Sequence, residues 1–164
     1  GEIIKHIVQD KKVEGELEIM KVDVADGNTK LPNAEFTIYN EQGKEVVKGK
    51  TDEKGVAKFK LPYGKYTYKE TIAPNGYVIN EETFAFEIKE NGEIIKHIVQ
   101  DKKVEGKLEI TKVDVADGNT KLPNAEFTIY NEQGKEVVKG KTNEQGIAKF
   151  KLPYGKYTYK ETIA

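Results

Sequence analysis

Two charged residues lie at positions where the strand pattern predicts a protein interior. Lys21 continues the apolar stripe of Leu17 and Ile19, and Glu70 continues the stripe of Tyr68. A buried charge must be paired, neutralised or consumed in a reaction. The two positions therefore identify Lys21 and Glu70 as candidates for chemistry inside the fold.

Asp101 is the third candidate, near the end of the last strand of the repeat. Ile94 and Ile98 occupy one face of this strand, and Ile95 and Val99 occupy the other. Because both faces carry apolar residues, the alternation alone does not decide which face is buried. If the Val99 face is buried, Asp101 shares it and joins the other two.

A lysine, a glutamate and an aspartate in an apolar site have two possible roles. Desolvation disfavours the charged forms of amines and carboxyl groups alike, and a neutral amine beside a neutral acid is a condensation pair. With Glu70 transferring the proton, Lys21 could attack Asp101 and expel one water, leaving an amide. The alternative is a buried salt-bridge network with no covalent bond.

Composition excludes several other functions. The sequence contains no Cys and no Ser, which removes the two commonest side-chain nucleophiles. Lys and Arg total 27 against 28 acidic residues, so no net charge favours nucleic acid or an anionic membrane. No apolar run is long enough to cross a bilayer.

No motif predicts a metal or a cofactor. His6 and His97 occupy the same repeat position without neighbouring His or Cys, which is typical of sheet residues rather than ligands. The acidic segment 23–28 resembles a calcium loop but lacks the glutamate at the twelfth position and the flanking helices. We therefore interpret it as a plain loop.

The chain is an internal repeat. Residues 1–15 return unchanged as residues 92–106, which gives a period of 92 − 1 = 91 residues. We interpret residues 1–12 as the last strand of a preceding repeat, 13–103 as one complete domain, and 104–164 as a second domain that lacks its C-terminal strands in this chain.

Short alternating segments and glycine-containing turns predict an all-β fold. About seven strands in some ninety residues favour an antiparallel β-sandwich, and no segment has a sustained helical period. Glycine is expected at positive φ in the turns. These turns lie at 41–44, 52–55, 62–64 and 74–76.

The repeat resembles the Cna B-type domains of Gram-positive adhesins and pilins, which are Ig-like β-sandwiches. The resemblance covers the whole repeat, and its most specific part is the Glu-Thr-x-Ala-Pro-x-Gly-Tyr segment that begins at Glu70. The other matching segments are 17–23, 31–36, 51–55 and 61–66.

The resemblance implies a role for each candidate residue. In this family the first-strand lysine forms an isopeptide bond with an Asn or Asp of the last strand, and the glutamate of the Glu-Thr-x-Ala-Pro segment catalyses it. These positions correspond to Lys21, Asp101 and Glu70, with aspartate in place of the more frequent asparagine. In the second copy, the lysine and glutamate are Lys112 and Glu161.

Asp10 corresponds to Asp101, but this chain has no counterpart of Lys21 before Asp10 and no counterpart of Asp101 after Lys112. One explanation is that the chain is a fragment of a longer array. The other is that Asp10 pairs with Lys112 of another molecule. We favour the first, because strand exchange would still leave the counterpart of residues 74–91 missing.

The leading functional prediction is a stalk that spaces an adhesive tip from the wall of a Gram-positive cell. Near-identical copies favour spacing, because repetition adds reach without needing a site in each unit. The expected partners are neighbouring repeats, with any host ligand bound by another domain, and the expected location is the cell-wall surface. A ligand-binding adhesin module is the alternative, and a turnover enzyme has least support because the Lys-Glu-Asp set would react only once.

Overall fold

The computed structural model describes all 164 residues and divides them into two units, Gly1–Lys102 and Lys103–Ala164. Both units consist of β-strands and turns. The structure contains no helix of the length and apolarity needed to cross a bilayer. The predicted all-β fold class is confirmed.

The first unit contains eight strands, one more than the pattern predicted. The additional element is easy to miss because β6 has only two residues, too few to show alternation. The strands are β1 (Glu14–Asp23), β2 (Glu35–Asn40), β3 (Glu45–Lys50), β4 (Val56–Pro62), β5 (Gly64–Ile72), β6 (Tyr77–Val78), β7 (Phe84–Ile88) and β8 (Ile94–Lys103).

These strands form two four-stranded sheets, in the orders β4-β1-β8-β6 and β3-β2-β5-β7. The pairs of β1 with β4, β2 with β3 and β5, and β5 with β7 are antiparallel. The first and last strands, β1 and β8, are parallel neighbours in one sheet. Local alternation does not predict this pairing, because it joins segments about eighty residues apart.

The core lies between the two sheets and follows the predicted stripes. Leu17 and Ile19 of β1 are fully buried, as are Ile38 of β2 and Tyr68 of β5. Val99 of β8 is buried, whereas Ile98 is 65% exposed. The Val99 face is therefore the inner face of the last strand, which decides the question that alternation left open.

Gly55 fixes the backbone of β1 at Lys21. Its φ is +75°, as predicted for the turn at 52–55, and its carbonyl accepts a hydrogen bond of 2.8 Å from the Lys21 amide. A Cβ on Gly55 would lie 2.9 Å from the Lys21 carbonyl oxygen. A side chain there would be strained and would also displace the strand that carries the lysine.

The second unit repeats this fold as far as its sequence extends. It forms a two-stranded sheet of β12 and β9 and a three-stranded sheet in the order β11-β10-β13. The strands are β9 (Glu105–Thr111), β10 (Glu126–Asn131), β11 (Glu136–Lys141), β12 (Ile147–Pro153) and β13 (Tyr157–Ile163).

Residues 1–12 form no strand and are exposed throughout. Their repeat equivalent, residues 92–103, supplies β8 in the first unit. His97 lies in β8, as predicted for a sheet residue, whereas His6 lies outside any strand in this structure.

Candidate functional site: a buried lysine between two carboxyl groups

The candidate site lies between the two sheets of the first unit, where three strands each contribute one charged side chain. Lys21 belongs to β1, Glu70 to β5 and Asp101 to β8. Their side chains have no accessible surface. Because Lys21 is 49 residues from Glu70 and 80 from Asp101, only the folded sandwich brings the three together.

Lys21 contacts both carboxyl groups. Its Nζ donates to Glu70 Oε1 at 3.3 Å and to Asp101 Oδ1 in a closer contact. The same nitrogen lies 5.9 Å from the centroid of the Phe36 ring, so an aromatic side chain also lies near the amine. The amine and the Asp101 carboxyl group are therefore adjacent and sequestered from bulk water.

The charge balance of the site favours one shared proton. Two carboxylates and one ammonium would leave a net negative charge in the interior, which is strongly unfavourable. Burial, together with a hydrogen bond to Asp101, raises the pKa of Glu70 to about 7. Glu70 Oε2 and Asp101 Oδ2 are both buried without another hydrogen-bond partner, and a proton on one carboxyl would satisfy both oxygens.

Asn80 holds the catalyst candidate and the last strand in place, a role that the sequence did not reveal. Its backbone amide donates to Glu70 Oε1 at 2.8 Å, and its side-chain amide donates to the carbonyl of Gln100 at 3.0 Å. One residue thus connects Glu70 to the strand position next to Asp101. Asn80 lies outside any strand, so no alternation pattern pointed to it.

Two tyrosines also attach strands around the site. Tyr77 donates to Asp23 Oδ2 at 2.8 Å, and burial followed by this contact raises the pKa of Tyr77 to about 12. The Tyr68 hydroxyl and His97 Nδ1 share a hydrogen bond of 2.7 Å between β5 and β8. Burial raises the pKa of Tyr68, which keeps its hydroxyl neutral.

The second unit contains two of the three residues. Lys112 Nζ donates to Glu161 Oε1 at 3.0 Å, as Lys21 does to Glu70. These side chains remain 32% and 28% exposed, because no strand equivalent to β8 covers them. Asp10 lies in the exposed N-terminal segment.

In the acidic segment 23–28, the Asp26 side chain stabilises a turn. Asp26 accepts hydrogen bonds from the amides of Asn28 and Thr29 and from the Thr29 hydroxyl. These bonds, the one from the Thr29 amide first, lower the pKa of Asp26 to about 2. No group of three or more His, Cys, Asp or Glu residues is arranged to hold a metal ion.

The sequence model of the SpaA prealbumin-like fold domain matches residues 15–103 and again residues 106–164. The chain belongs to this family. The two matched ranges coincide with the two copies of the repeat, so both copies are members of the SpaA family. A comparison with curated proteins finds no match.

Solved structures agree with this membership. The Bacillus anthracis TIE protein is 98% identical over 93% of this chain with a TM-score of 0.85, and the chain spans 29% of that structure. At the level of fold alone, the chain resembles a variant of BcpA, the major pilin subunit of Bacillus cereus, with 17% identity and a TM-score of 0.52. The match covers 91% of this chain and 88% of the BcpA chain. A streptococcal ancillary pilin is 19% identical to this chain, with a TM-score of 0.50. The match covers 95% of this chain and 55% of that pilin.

Proposed function

We propose that the chain is a spacer of a Gram-positive surface protein, built from Cna B-type domains that close an internal isopeptide bond. The observation that supports this most directly is the burial of Lys21 between Glu70 and Asp101. The three residues lie on the first strand, a central strand and the last strand of a SpaA-family domain. This function involves no turnover of a substrate, because the lysine amine and the aspartic acid of each domain react only once.

The reaction we propose is a condensation between two side chains. The neutral Nζ of Lys21 attacks Cγ of Asp101 while protonated Glu70 donates a hydrogen bond to the carbonyl oxygen. Glu70 then carries a proton from the nitrogen to the departing hydroxyl. One N–C bond forms, one C–O bond breaks, and one water leaves.

The proposed domain limits are those of the repeat. Residues 13–103 form the complete domain, residues 104–164 begin the next one, and residues 1–12 are the last strand of the one before. Within 104–164, Lys112 and Glu161 are the proposed amine and catalyst. They need an aspartate from a further last strand.

The proposed location is the outer surface of the cell wall, with neighbouring repeats of the same protein as the immediate partners. The pilin folds among the similar structures support this assignment. A host ligand, if one exists, is assigned to another domain. The chain contributes length and resistance to force.

Intact mass in denaturant tests the chemistry. We expect the parent chain to lack the mass of one water, and Lys21→Arg, Glu70→Ala and Asp101→Ala to retain it. Arginine remains protonated and cannot act as the nucleophile. Lys112→Arg and Glu161→Ala are the matched controls in the second unit and should show the same loss as the parent. A parent chain of full mass would contradict the proposal.

A further inference from the structure

Asn80 borders two surface clefts beside the buried cluster. One cleft of about 240 Å³ is also lined by Asp101, and another of about 420 Å³ is also lined by Glu70. The side chains of Glu70 and Asp101 nevertheless have no accessible surface. Asn80 is therefore part of the cover that lies between the reacting groups and solvent.

The side chain of Asn80 is fixed by two hydrogen bonds. Its Oδ1 accepts from the amide of Glu82 at 2.9 Å, and its Nδ2 donates to the carbonyl of Gln100 at 3.0 Å. Because one partner is a donor and the other an acceptor, the two bonds together determine which way the side-chain amide points. The first bond ties Asn80 to its own loop and the second ties it to β8. The backbone amide of Asn80 is thereby held toward Glu70.

The two carboxyl oxygens of Glu70 have different surroundings. Oε1 accepts from the backbone amide of Asn80 at 2.8 Å and from Nζ of Lys21 at 3.3 Å. Both lone-pair sites of Oε1 thus face N–H donors, and a proton on Oε1 would displace one of them. Oε2 is buried without a hydrogen-bond partner, as is Oδ2 of Asp101. The proton of the cluster is therefore best accommodated on Oε2.

We propose that Asn80 is a positioning residue, whose backbone amide keeps Oε1 of Glu70 as an acceptor and so directs the carboxyl proton to Oε2, for donation to Asp101. The carboxyl group of Glu70 then has two distinct ends. Oε1 acts as a base toward the lysine amine, and Oε2 acts as an acid toward the aspartic acid.

These two ends define a proton path for the condensation, and this step rests on the proposed function. As Nζ of Lys21 bonds to Cγ of Asp101, Oε1 takes one proton from the nitrogen. Oε2 delivers its own proton to Asp101, whose C–O bond breaks as water leaves. Glu70 ends neutral, with its proton on Oε1 instead of Oε2, so no external acid or base is needed.

Rates of bond closure on refolding, followed by intact mass, test this role. Asn80→Pro deletes the backbone N–H, whereas Asn80→Ala keeps the N–H and deletes the two side-chain bonds. We expect Asn80→Pro to slow closure by about tenfold or more at about pH 6, because the carboxyl group loses its fixed orientation. Asn80→Ala should slow closure less.

The pH dependence of closure separates positioning from mere covering. Burial raises the pKa of Glu70, and the Asn80 amide opposes that rise, so the pKa rises further without the amide. The pH above which closure slows should therefore move upward in Asn80→Pro and stay unchanged in Asn80→Ala. The titratable groups that face Glu70 are Lys21 from β1 and Asp101 from β8, and both remain in every variant of this series.

Glu81→Pro is the matched control for the proline itself, since the amide of Glu81 donates to neither carboxyl group of the cluster. It should leave the rate and the pH profile close to those of the parent. If Asn80→Pro and Asn80→Ala slow closure equally and neither moves the pH profile, Asn80 is only a cover and the inference is overturned.

A second measurement requires neither a proline variant nor bond formation. Lys21→Arg keeps a cation beside Glu70 and cannot close the bond. In its NMR spectrum we expect the amide proton of Asn80 to follow the titration of Glu70, and to lose this response when Glu70→Gln is added. An amide that stays constant across the titration would overturn the inference even if the parent lacks one water. An amide that responds while the parent keeps its full mass would support the role of Asn80 and contradict only the proposed function.

Discussion

Glu70 determines how the proposed reaction responds to pH. An ordinary glutamate is ionised at neutral pH, but burial and the contact with Asp101 raise the pKa of Glu70 to about 7. The folded cluster therefore holds its extra proton below about pH 7 and loses it above. The reactive arrangement of neutral amine, neutral acid and protonated Glu70 contains that proton.

We therefore predict that bond closure slows as the pH rises, by about tenfold for each unit above 7. The starting material is chain that has been kept unfolded in denaturant since its synthesis. Its full mass shows that no bond has formed. It is refolded at a series of pH values from about 6 to about 9 and quenched for mass analysis. A lysine acting without the cluster would instead react faster at high pH, so a rising rate would exclude this role of Glu70.

At the scale of single residues, the structure also explains how the three groups stay in register. Asn80 joins Glu70 to β8, and the hydrogen bond between Tyr68 and His97 joins β5 to the same strand. Both contacts connect the strand of Glu70 with the strand of Asp101, the first through the loop residue Asn80 and the second directly between strands.

At the scale of elements, the central feature is the parallel pairing of β1 with β8. A bond between Lys21 and Asp101 would join the two neighbouring strands β1 and β8 and close a loop of 80 residues. The loop-entropy model used for disulfides gives about 4.5 kcal/mol for a loop of that length. This is a large share of the stability of a small domain.

We predict that Asp101→Ala lowers the melting temperature of the first unit well beyond the effect of a surface substitution. This variant also leaves Lys21 buried without its partner, which is itself destabilising. Glu70→Gln separates the two effects, because the lysine and the aspartate remain while the catalyst is lost. It should lower the melting temperature by about 20 °C or more, as measured by calorimetry.

Glu161→Gln is the control for that measurement, since it makes the same change in the second unit. It should leave the transition of the first unit in place. If Glu70→Gln melts at the parent temperature, no bond stabilises the parent.

At the scale of the whole molecule, the repeat determines where force enters and leaves. In a tandem array, tension reaches the complete domain near Val13 and leaves near Lys103. A bond between Lys21 and Asp101 would transmit the load from the first strand to the last. The chain between these two residues would then stay unstretched.

Pulling on residues 13–103 between marker domains tests this. With the bond, only the short ends extend. Without it, full unfolding lengthens about ninety residues, which corresponds to roughly 300 Å. We expect the long step in Lys21→Arg and in Glu70→Ala but not in the parent. A long step in the parent would contradict the spacer mechanism.

The sequence determined the local features of this protein. Alternation with a period of two residues placed Lys21 and Glu70 on inner faces, because successive side chains of a strand point to opposite sides. The turns were also predicted: Gly43, Gly55, Gly64 and Gly76 have positive φ. The near-identical repeat showed that the second unit carries the same lysine and glutamate.

Only the tertiary structure decided which strands meet. The face of Asp101 was ambiguous because β8 has apolar residues on both sides, and its burial follows from packing against the opposite sheet. The parallel pairing of β1 with β8 and the contacts of Asn80 and His97 join segments that are distant in sequence. Such contacts depend on the energy of the assembled sandwich, which a local period does not encode.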